Sequence, residues 1–166
     1  MTSQPPWISK TLTPVQKINT FFDNVDASLT ITTYDANLRH NELTLLSAAS
    51  EPAGTSTFEF TVAEAHTNRM GNLHGGCAAL IFDVCTTTAL LPVAREGFWD
   101  YAGVTRSLNI SYLRPAPTGT VLLIRSEVVH AGRKLATIKG VISRKDDGKV
   151  CYTAEHLKVN IPVPNL

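Results

Sequence analysis

The sequence has few charged residues and no marked excess of either sign. Charged residues make up 17% of its 166 residues, against about 25% in an average globular chain. Hydrophobic residues make up 43%, and this balance excludes intrinsic disorder, which requires low hydrophobicity and high net charge. Lys and Arg total 15 and Asp and Glu total 14, a net charge of +1. We therefore predict no nucleic-acid partner, although a small basic patch for an anionic ligand is compatible with this balance.

Cysteine is also scarce. The sequence contains three cysteines, Cys77, Cys85 and Cys151, and an odd number cannot all pair. No Cys–Cys or Cys–His pair has the spacing typical of a zinc site. We predict no disulfide framework, no metal site and a reduced, intracellular protein. The first ten residues, MTSQPPWISK, show no apolar signal core and a single basic residue. The expected location is cytoplasmic, with a mitochondrial location as the alternative.

One long apolar run raises the question of a membrane span. From Gly75 to Ala94 the only charged residue is Asp83, and about 20 apolar residues are enough to cross a bilayer. However, the run contains two glycines and three consecutive threonines, and a central carboxylate is costly in lipid. The run therefore predicts a buried helix and no membrane span.

The pattern along the chain predicts one compact domain preceded by a lead-in. Residues 1–12 predict a loose segment, and Thr13-Pro14 predicts the start of a helix that continues to Val25. Further boundaries follow from alternation and turn residues: strands at 29–34, 43–48, 57–62, 104–113, 121–130, 135–144 and 150–161, and a long helix from His74 to Pro92. We divide the chain into a lead-in, residues 1–50, and a main domain, residues 51–166.

This element order predicts an α+β fold. Short turns between the late strands imply antiparallel neighbours, and a helix that is apolar on nearly every face must be covered on most sides. A curved antiparallel sheet wrapped around one central helix meets both requirements. Because one sheet cannot cover the whole helix, a second copy of the chain is the expected source of the remaining cover.

Two features of the central helix are candidates for chemistry. At Gly75 and Gly76 the first backbone N–H groups have no intrahelical partner, and the absence of Cβ atoms allows close approach of a ligand oxygen. These glycines predict an oxyanion site, or simply a sharp turn from strand to helix. Asp83 lies nine residues after His74 among apolar neighbours. It is either a functional carboxylate or a structural one, which caps a neighbouring strand or accepts hydrogen bonds from threonine hydroxyls.

Other candidates carry weaker signals. His66 and Asn68 precede the glycines, and either orients a water or substrate carbonyl or serves the loop itself. The hydroxyls of Thr105 and Ser107 lie on the following strand, where either can face the same cavity. Several cationic residues recur at strand ends and form either a rim for phosphates or ordinary surface charge: Arg114, His130, Arg133, Lys134, His156 and Lys158.

The segments HTNRMGNLHGGCAALIFD and GVTRSLNISYLRPA resemble the hotdog-fold acyl-CoA thioesterases of the PaaI type. The resemblance covers roughly residues 55 to 160. It implies that Asp83 is the catalytic carboxylate, acting as general base or nucleophile, and that the Gly75 N–H polarises the thioester carbonyl. It further implies that Asn68 places the water or leaving group and that His74 shapes the site. Thr105 stands where related enzymes carry a serine.

The resemblance also implies partners. The site lies at a homodimer interface, with the aspartate and the asparagine–glycine pair from different subunits, and many members are dimers of dimers. The expected contacts to coenzyme A are Tyr112, Arg114, His130, Gly132, Arg133, Lys134, His156 and Lys158. Thioester hydrolysis requires no metal or redox cofactor, and coenzyme A belongs to the substrate. The alternatives are a hotdog hydratase or dehydratase and a non-catalytic acyl-thioester-binding protein.

Overall fold

The computed structural model describes residues 4–27 and 35–161. Two α-helices and six strands are present in this part: α1 (Pro14–Ala27), β1 (Thr44–Ala49), β2 (Thr55–Thr61), α2 (Gly75–Thr88), β3 (Val104–Tyr112), β4 (Val121–Ala131), β5 (Leu135–Arg144) and β6 (Val150–Val159). The predicted strand at 29–34 lies outside the described residues. The other predicted elements are present, with boundaries shifted by a few residues.

The N-terminal segment is more ordered than its composition predicts. Thr13 and Gln16 form reciprocal side-chain to backbone bonds that start α1, the arrangement of a capping box. Before it, a single 3₁₀ turn at Pro6–Ile8 buries Trp7 and Ile8. The Trp7 indole N–H donates to the Asp100 carbonyl oxygen at 2.6 Å. The expectation of a loose lead-in is therefore wrong for these residues, because an aromatic side chain fastens them to the main domain.

The six strands form one antiparallel sheet in the order β1-β2-β4-β5-β6-β3. The turn between β5 and β6 has Gly148 at φ +69°, which suits a tight hairpin. Strand β1, from the predicted lead-in, is one edge of the sheet, and β3 is the other. Within the described chain, β3 has β6 on one side and no strand on its other side.

Helix α2 packs against the inner face of this sheet and forms the centre of the core. Ile81 and Phe82 are fully buried against apolar residues of β2, β4 and β5. Phe82 fits closely because Gly140 of β5 has no side chain: a Cβ there would lie 2.7 Å from the Phe82 ring. The α+β fold with a curved antiparallel sheet around one central helix is thus confirmed.

Helix α2 is shorter than predicted. It ends at Thr88, and a 3₁₀ turn follows at Leu91–Val93, because Pro92 has no N–H for the Thr88 carbonyl and disfavours helical geometry before it. By length and composition residues 75–93 are apolar enough to cross a membrane, with a mean hydropathy of 1.7. Most of this stretch is buried inside the fold, as expected for the helix of a core.

Candidate active site

Asp83 is the centre of a hydrogen-bonded cluster between α2 and the edge of the sheet. Its side chain is 45% exposed, so one side of the carboxylate is open in the single chain. On the other side, the Thr105 hydroxyl donates to Asp83 Oδ1 at 2.6 Å. No described residue donates to Oδ2. The carboxylate therefore has one oxygen fixed by the protein and one available to a ligand or water.

A β-bulge turns Thr105 toward Asp83. Leu108 and Ile110 of β3 pair with inward-facing residues of β6, so regular alternation would point the odd-numbered Thr105 away from α2. The register shifts between Thr105 and Ser107, which leaves Arg106 as an extra residue and returns Thr105 to the inner face. Of the two candidate hydroxyls, Thr105 thus joins the cluster, whereas Ser107 pairs with Leu157 on the other face.

His156 lies directly behind Thr105 and is completely buried. Its Nε2 is 3.0 Å from the Thr105 hydroxyl oxygen and 3.6 Å from Asp83 Oδ1. Its Nδ1 is 2.6 Å from the Thr86 hydroxyl oxygen. Burial, assisted by the positive charge of Lys158 and opposed by Asp83, lowers the pKa of His156 to about 4. The imidazole is therefore neutral near pH 7.

A neutral His156 fixes the direction of the hydrogen bonds. Thr105 uses its only proton to donate to Asp83, so its oxygen accepts from His156 Nε2–H. His156 Nδ1 then carries a lone pair beside the Thr86 hydroxyl, whose single proton is donated to the Phe82 carbonyl oxygen. The chain of donors runs from His156 through Thr105 and ends on the Asp83 carboxylate.

Lys158 lies beside this cluster and is 2% exposed. Its ammonium donates to the Thr87 hydroxyl oxygen at 2.8 Å. Burial lowers the pKa of Lys158 to about 8, and the negative charge of Asp83 limits the shift. A lysine ammonium group that is almost completely buried is uncommon in proteins unless it forms an ion pair or has a functional role.

The expected position of His156 and Lys158 on an exposed cationic rim is wrong. Both side chains lie inside the fold, in the same alternation as Tyr152 and Ala154. Thr153 and Glu155 occupy the outer phase of β6. The alternation of β6 places both side chains on the inner face. The sequence alone favours a surface position, because ionisable residues near the end of a strand are usually exposed.

The second group of site residues surrounds the start of α2. His74 is the N-cap, and its Nδ1 accepts from the Gly76 N–H at 3.0 Å. That bond leaves the Gly75 N–H without an acceptor among the described residues. The Tyr112 hydroxyl donates to the Gly75 carbonyl oxygen at 3.0 Å, which ties the end of β3 to the helix start. A free N–H at a helix N-terminus suits an oxygen with developing negative charge.

Asn68 and His66 are both used by the loop before α2. The Asn68 side-chain oxygen accepts from the Met70 and Asn72 N–H groups, an Asx-type turn. This bonding leaves its amide NH₂ as a donor with fixed orientation. His66 Nδ1 accepts from the Ala63 N–H, and its Nε2 lies 2.9 Å from a carboxylate oxygen of Glu42. Asn68 can therefore both hold the loop through its side-chain oxygen and contact substrate through its NH₂ group. His66 mainly joins the loop to the N-terminal segment.

The two groups of residues lie far apart in one chain. Gly75 and Asp83 are eight residues apart on α2, about 12 Å along the axis. Thr105 and Tyr112 stand at opposite ends of β3, roughly 20–25 Å apart. The carboxylate group and the helix-start group therefore do not face one another within a single copy.

The remaining candidates lie on the surface and divide between the same two ends. Arg114 is exposed near Tyr112 and donates to the Val150 carbonyl oxygen. The end of β4 carries His130, and the turn between β4 and β5 carries Arg133 and Lys134, all exposed. The Gly132 carbonyl oxygen in this turn accepts from the Trp99 indole N–H at 2.8 Å. The exposure of the charged residues is compatible with both sequence interpretations, a rim for phosphates and ordinary surface charge.

Neither thiol chemistry nor a clustered metal site is favoured by the described residues. Burial raises the pKa of the Cys77 thiol to about 11 and raises that of Cys85 further, so neither forms a thiolate readily. Within residues 4–27 and 35–161, no three His, Cys, Asp or Glu side chains group as metal ligands.

A cavity of about 140 Å³ opens beside Asp83, and no pattern in the sequence predicts it. One wall comes from α2, with Val84, and the other from the N-terminal segment, with Phe22 and Arg39. Arg39 Nε lies 2.8 Å from a carboxylate oxygen of Asp35. The N-terminal segment therefore contributes walls to the neighbourhood of Asp83, including a charged pair.

Comparison with known proteins agrees with this fold. The solved structure of zebrafish thioesterase superfamily member 2 matches with a TM-score of 0.74 and 32% identity, covering 90% of this chain and 99% of that one. A Streptococcus pneumoniae hypothetical thioesterase solved with coenzyme A matches with a TM-score of 0.62 over 71% of this chain and 85% of that one. At 24% identity, the second match supports the fold alone. The architecture is thus that of hotdog thioesterases.

Sequence similarity identifies the family. The model of the thioesterase superfamily matches residues 70–151. Human acyl-coenzyme A thioesterase 13 is 36% identical over 117 residues, which are 70% of this chain and 79% of the human protein. The chain belongs to the thioesterase superfamily and is a thioester hydrolase.

Proposed function

We propose that this protein hydrolyses acyl-CoA thioesters to the free acid and coenzyme A, with Asp83 activating water and the Gly75 N–H polarising the carbonyl. The observation that carries the proposal is the state of the Asp83 carboxylate. It is held by Thr105 on one oxygen, open on the other, and located on the apolar helix that begins with a free N–H.

The chemistry follows from this arrangement. In the general-base form, Asp83 takes a proton from water while the water oxygen attacks the thioester carbonyl carbon. The carbonyl oxygen becomes negative and is stabilised by the Gly75 N–H. The Asn68 amide helps to place the water or the leaving group. When the carbon–sulfur bond breaks, the proton passes to the thiolate of coenzyme A. In the nucleophilic form, Asp83 attacks the carbonyl carbon and the carbon–sulfur bond breaks, releasing the thiolate of coenzyme A. Water then hydrolyses the anhydride to the free acid and restores the Asp83 carboxylate.

Assembly of a complete site requires two copies of the chain. A carbonyl held about 3 Å from the Gly75 N–H is too far from Asp83 of the same helix for direct water activation. Antiparallel α2 helices from two subunits would bring the start of each helix to the partner's Asp83. For the junction, β3 offers an edge that has no strand partner among residues 4–27 and 35–161. We therefore propose a homodimer, assembled further as a dimer of dimers.

The surface residues fit the anionic part of the substrate. Coenzyme A carries phosphates, which Arg and Lys side chains bind well. In such a dimer, Tyr112 and Arg114 of one subunit would approach the Arg133–Lys134 turn of the other. The acyl group would enter the cavity beside Asp83, where Phe22 and Val84 supply apolar walls. No resident cofactor forms part of this proposal.

A hydratase or dehydratase is less consistent with the geometry. Such a reaction needs a histidine and a carboxylate that converge on neighbouring substrate carbons. His156 is near Asp83, but it is fully buried and the Thr105 hydroxyl bridges the two groups. His74 uses its Nδ1 to cap α2.

The test is a hydrolysis screen over short, long and aromatic acyl-CoAs that measures free thiol. We expect thiol release from at least one class, and its loss in folded Asp83→Asn. Binding of acyl-CoA without thiol release would identify a binding protein instead. Hydration of an enoyl-CoA without thiol release would identify a hydratase.

A further inference from the structure

Lys158 is a buried charged residue with no assigned part in the proposed reaction. It lies on β6 directly opposite Thr105 of β3. Its ammonium contacts Thr87, which is four residues after Asp83 on α2 and so lies on the same helix face. Lys158 therefore approaches the Asp83 cluster from both the strand side and the helix side.

The charges around Lys158 are few and have defined positions. From α2, Asp83 is the carboxylate whose charge acts on it, and on β6 itself His156 is the titratable neighbour. Its direct partners on β3 and β5 are Thr105 and Ala136, which carry no charge. The Asp35–Arg39 ion pair, across the adjoining cavity, compensates itself.

We propose that Lys158 is a positioning residue for the thioesterase reaction, which holds Thr87 on α2 and places a fixed positive charge beside the Asp83 cluster. The proposal rests on the proposed function. Lys158 itself has no access to substrate, because its side chain is covered by α2 and the neighbouring strands. It acts through Asp83 and through the direction of the donor chain from His156 to Thr105.

Two physical arguments support this role. First, taking an ammonium out of water is costly, and a single neutral hydroxyl partner does not offset that cost. A side chain serving stability alone would be better replaced by an apolar one. Second, the Asp83 charge acts against the effect of burial on the pKa of Lys158, so the ammonium and the carboxylate are electrostatically coupled.

The coupling predicts a pH dependence. Because the pKa of Lys158 is lowered to about 8, the ammonium is charged at pH 7 and loses its proton as the pH rises through 8. We expect kcat to decline above about pH 8, with little change in KM. The Lys158→Arg variant stays charged in this range, so any activity it retains should not show that decline.

The kinetic test uses Lys158→Met and the matched control Lys17→Met. Lys17 is the other buried lysine, and it donates to the Pro92 and Ala94 carbonyl oxygens outside the Asp83 cluster. We expect Lys158→Met to lower kcat about tenfold or more, to leave KM within about twofold, and to melt no lower than wild type. We expect Lys17→Met to keep wild-type kcat. The proposal would be overturned if folded Lys158→Met had the same kcat and pH profile as the wild-type protein. It would also be overturned if the kcat of the wild-type protein did not change across pH 8.

A second measurement separates this proposal from the proposed function. In the intact protein with ¹³C-labelled lysine, the Lys158 signal, assigned by its loss in Lys158→Met, should titrate near pH 8. In Asp83→Asn it should titrate at lower pH, because the carboxylate that supports the ammonium is gone. An unchanged Lys158 titration in Asp83→Asn would sink the coupling even if the enzyme hydrolyses acyl-CoA. A shifted titration in a protein without hydrolysis would uphold the coupling and refute only the proposed function.

Discussion

Thr105 donates a hydrogen bond to Asp83 at 2.6 Å across 22 residues of sequence. The bond joins the central helix to the edge strand of the sheet, and it fixes one carboxylate oxygen while the other is free of described partners. A base that abstracts a proton from water needs this kind of orientation. The geometry of this pair underlies the first two predictions.

Asp83→Asn should keep the fold and lose most thioesterase activity. The amide is nearly the same shape, so Thr105 still finds an oxygen acceptor, but the general base is gone. We expect a loss of about 10²–10⁴-fold in kcat, measured by thiol release. Glu155→Gln, on the exposed outer face of β6, is the control and should retain wild-type activity. Wild-type turnover by folded Asp83→Asn would remove Asp83 from the mechanism.

Thr105→Val should reduce activity more than Thr105→Ser. Valine keeps the shape and removes the hydroxyl between Asp83 and His156, a bond to a charged group worth about 1.5–3 kcal/mol, or roughly 10–100-fold in rate. Serine keeps the hydroxyl and should retain most activity. Ser107→Ala, on the outer phase of β3, should have no effect on kcat. Equal activities of the valine and serine variants would refute a role for the hydroxyl.

Mixed mutant subunits should restore activity if the site is shared. Asp83→Asn and Asn68→Ala homodimers should each be nearly inactive, since every site lacks one part. After subunit exchange, about half of the dimers would be mixed, each with one intact site of two, so recovery should approach about one quarter of wild type.

The complementation experiment needs proof that subunits have exchanged. Differently tagged chains recovered together on one affinity column provide it. Verified exchange with no recovered activity would require a site built within one chain. The expected recovery assumes that the two sites work independently and that Asn68 contributes strongly.

The stability of the protein should fall in mild acid because His156 is buried neutral. Its pKa is lowered from 6.5 to about 4, so between these values the unfolded state binds more protons than the folded state. The free energy of unfolding should therefore decrease as pH falls from about 6.5 to 4, by up to about 3 kcal/mol. Denaturant titrations of wild type and His156→Gln should show a smaller acid effect in the variant. Identical pH dependence would mean that His156 does not titrate as described.

Gly140→Ala should destabilise the protein and disturb the site. The added methyl would lie 2.7 Å from the Phe82 ring and 2.9 Å from the Thr86 methyl, which would push α2 away from β5. Overpacking of this kind costs about 1–3 kcal/mol, measurable by denaturant unfolding. Gly132→Ala, whose Cβ would meet its nearest neighbour at 3.4 Å, should unfold at nearly the wild-type denaturant concentration. Equal stability of the two variants would show that α2 accommodates the methyl group.

The sequence predicted most of the fold because its local patterns agree with the tertiary structure. The alternation in β2, the Thr13-Pro14 helix start and the glycine turn before β6 each specify an element without reference to distant residues. The end of α2 was predicted too late because hydrophobicity continues through Leu91, whereas the α-helical hydrogen bonds give way to 3₁₀-type bonds after Thr88. The order around Trp7 depends on a contact 93 residues away, which no local pattern contains.

The site was predictable in part for the same reason. Asp83 and Gly75 stand out because each violates the pattern of its helix, a carboxylate among apolar residues and a glycine at a helix start. His156 and Lys158 do not stand out, because charged residues near a strand end usually lie at the surface. The cavity wall from Phe22 and Arg39 depends on how the N-terminal segment packs over α2, and the sequence contains no local sign of that packing.

The extra residue in β3 decides which chemical group meets the carboxylate. In a regularly paired strand the phase set by Leu108 would direct residue 106, not residue 105, toward α2. The neighbour of Asp83 would then be a guanidinium, which would neutralise the carboxylate by ion pairing and occupy both of its oxygens. One added residue in an edge strand thus separates a carboxylate free to act as a base from one locked in a salt bridge. In any designed or truncated form of this sheet, the presence of the bulge therefore decides whether residue 105 or residue 106 faces Asp83.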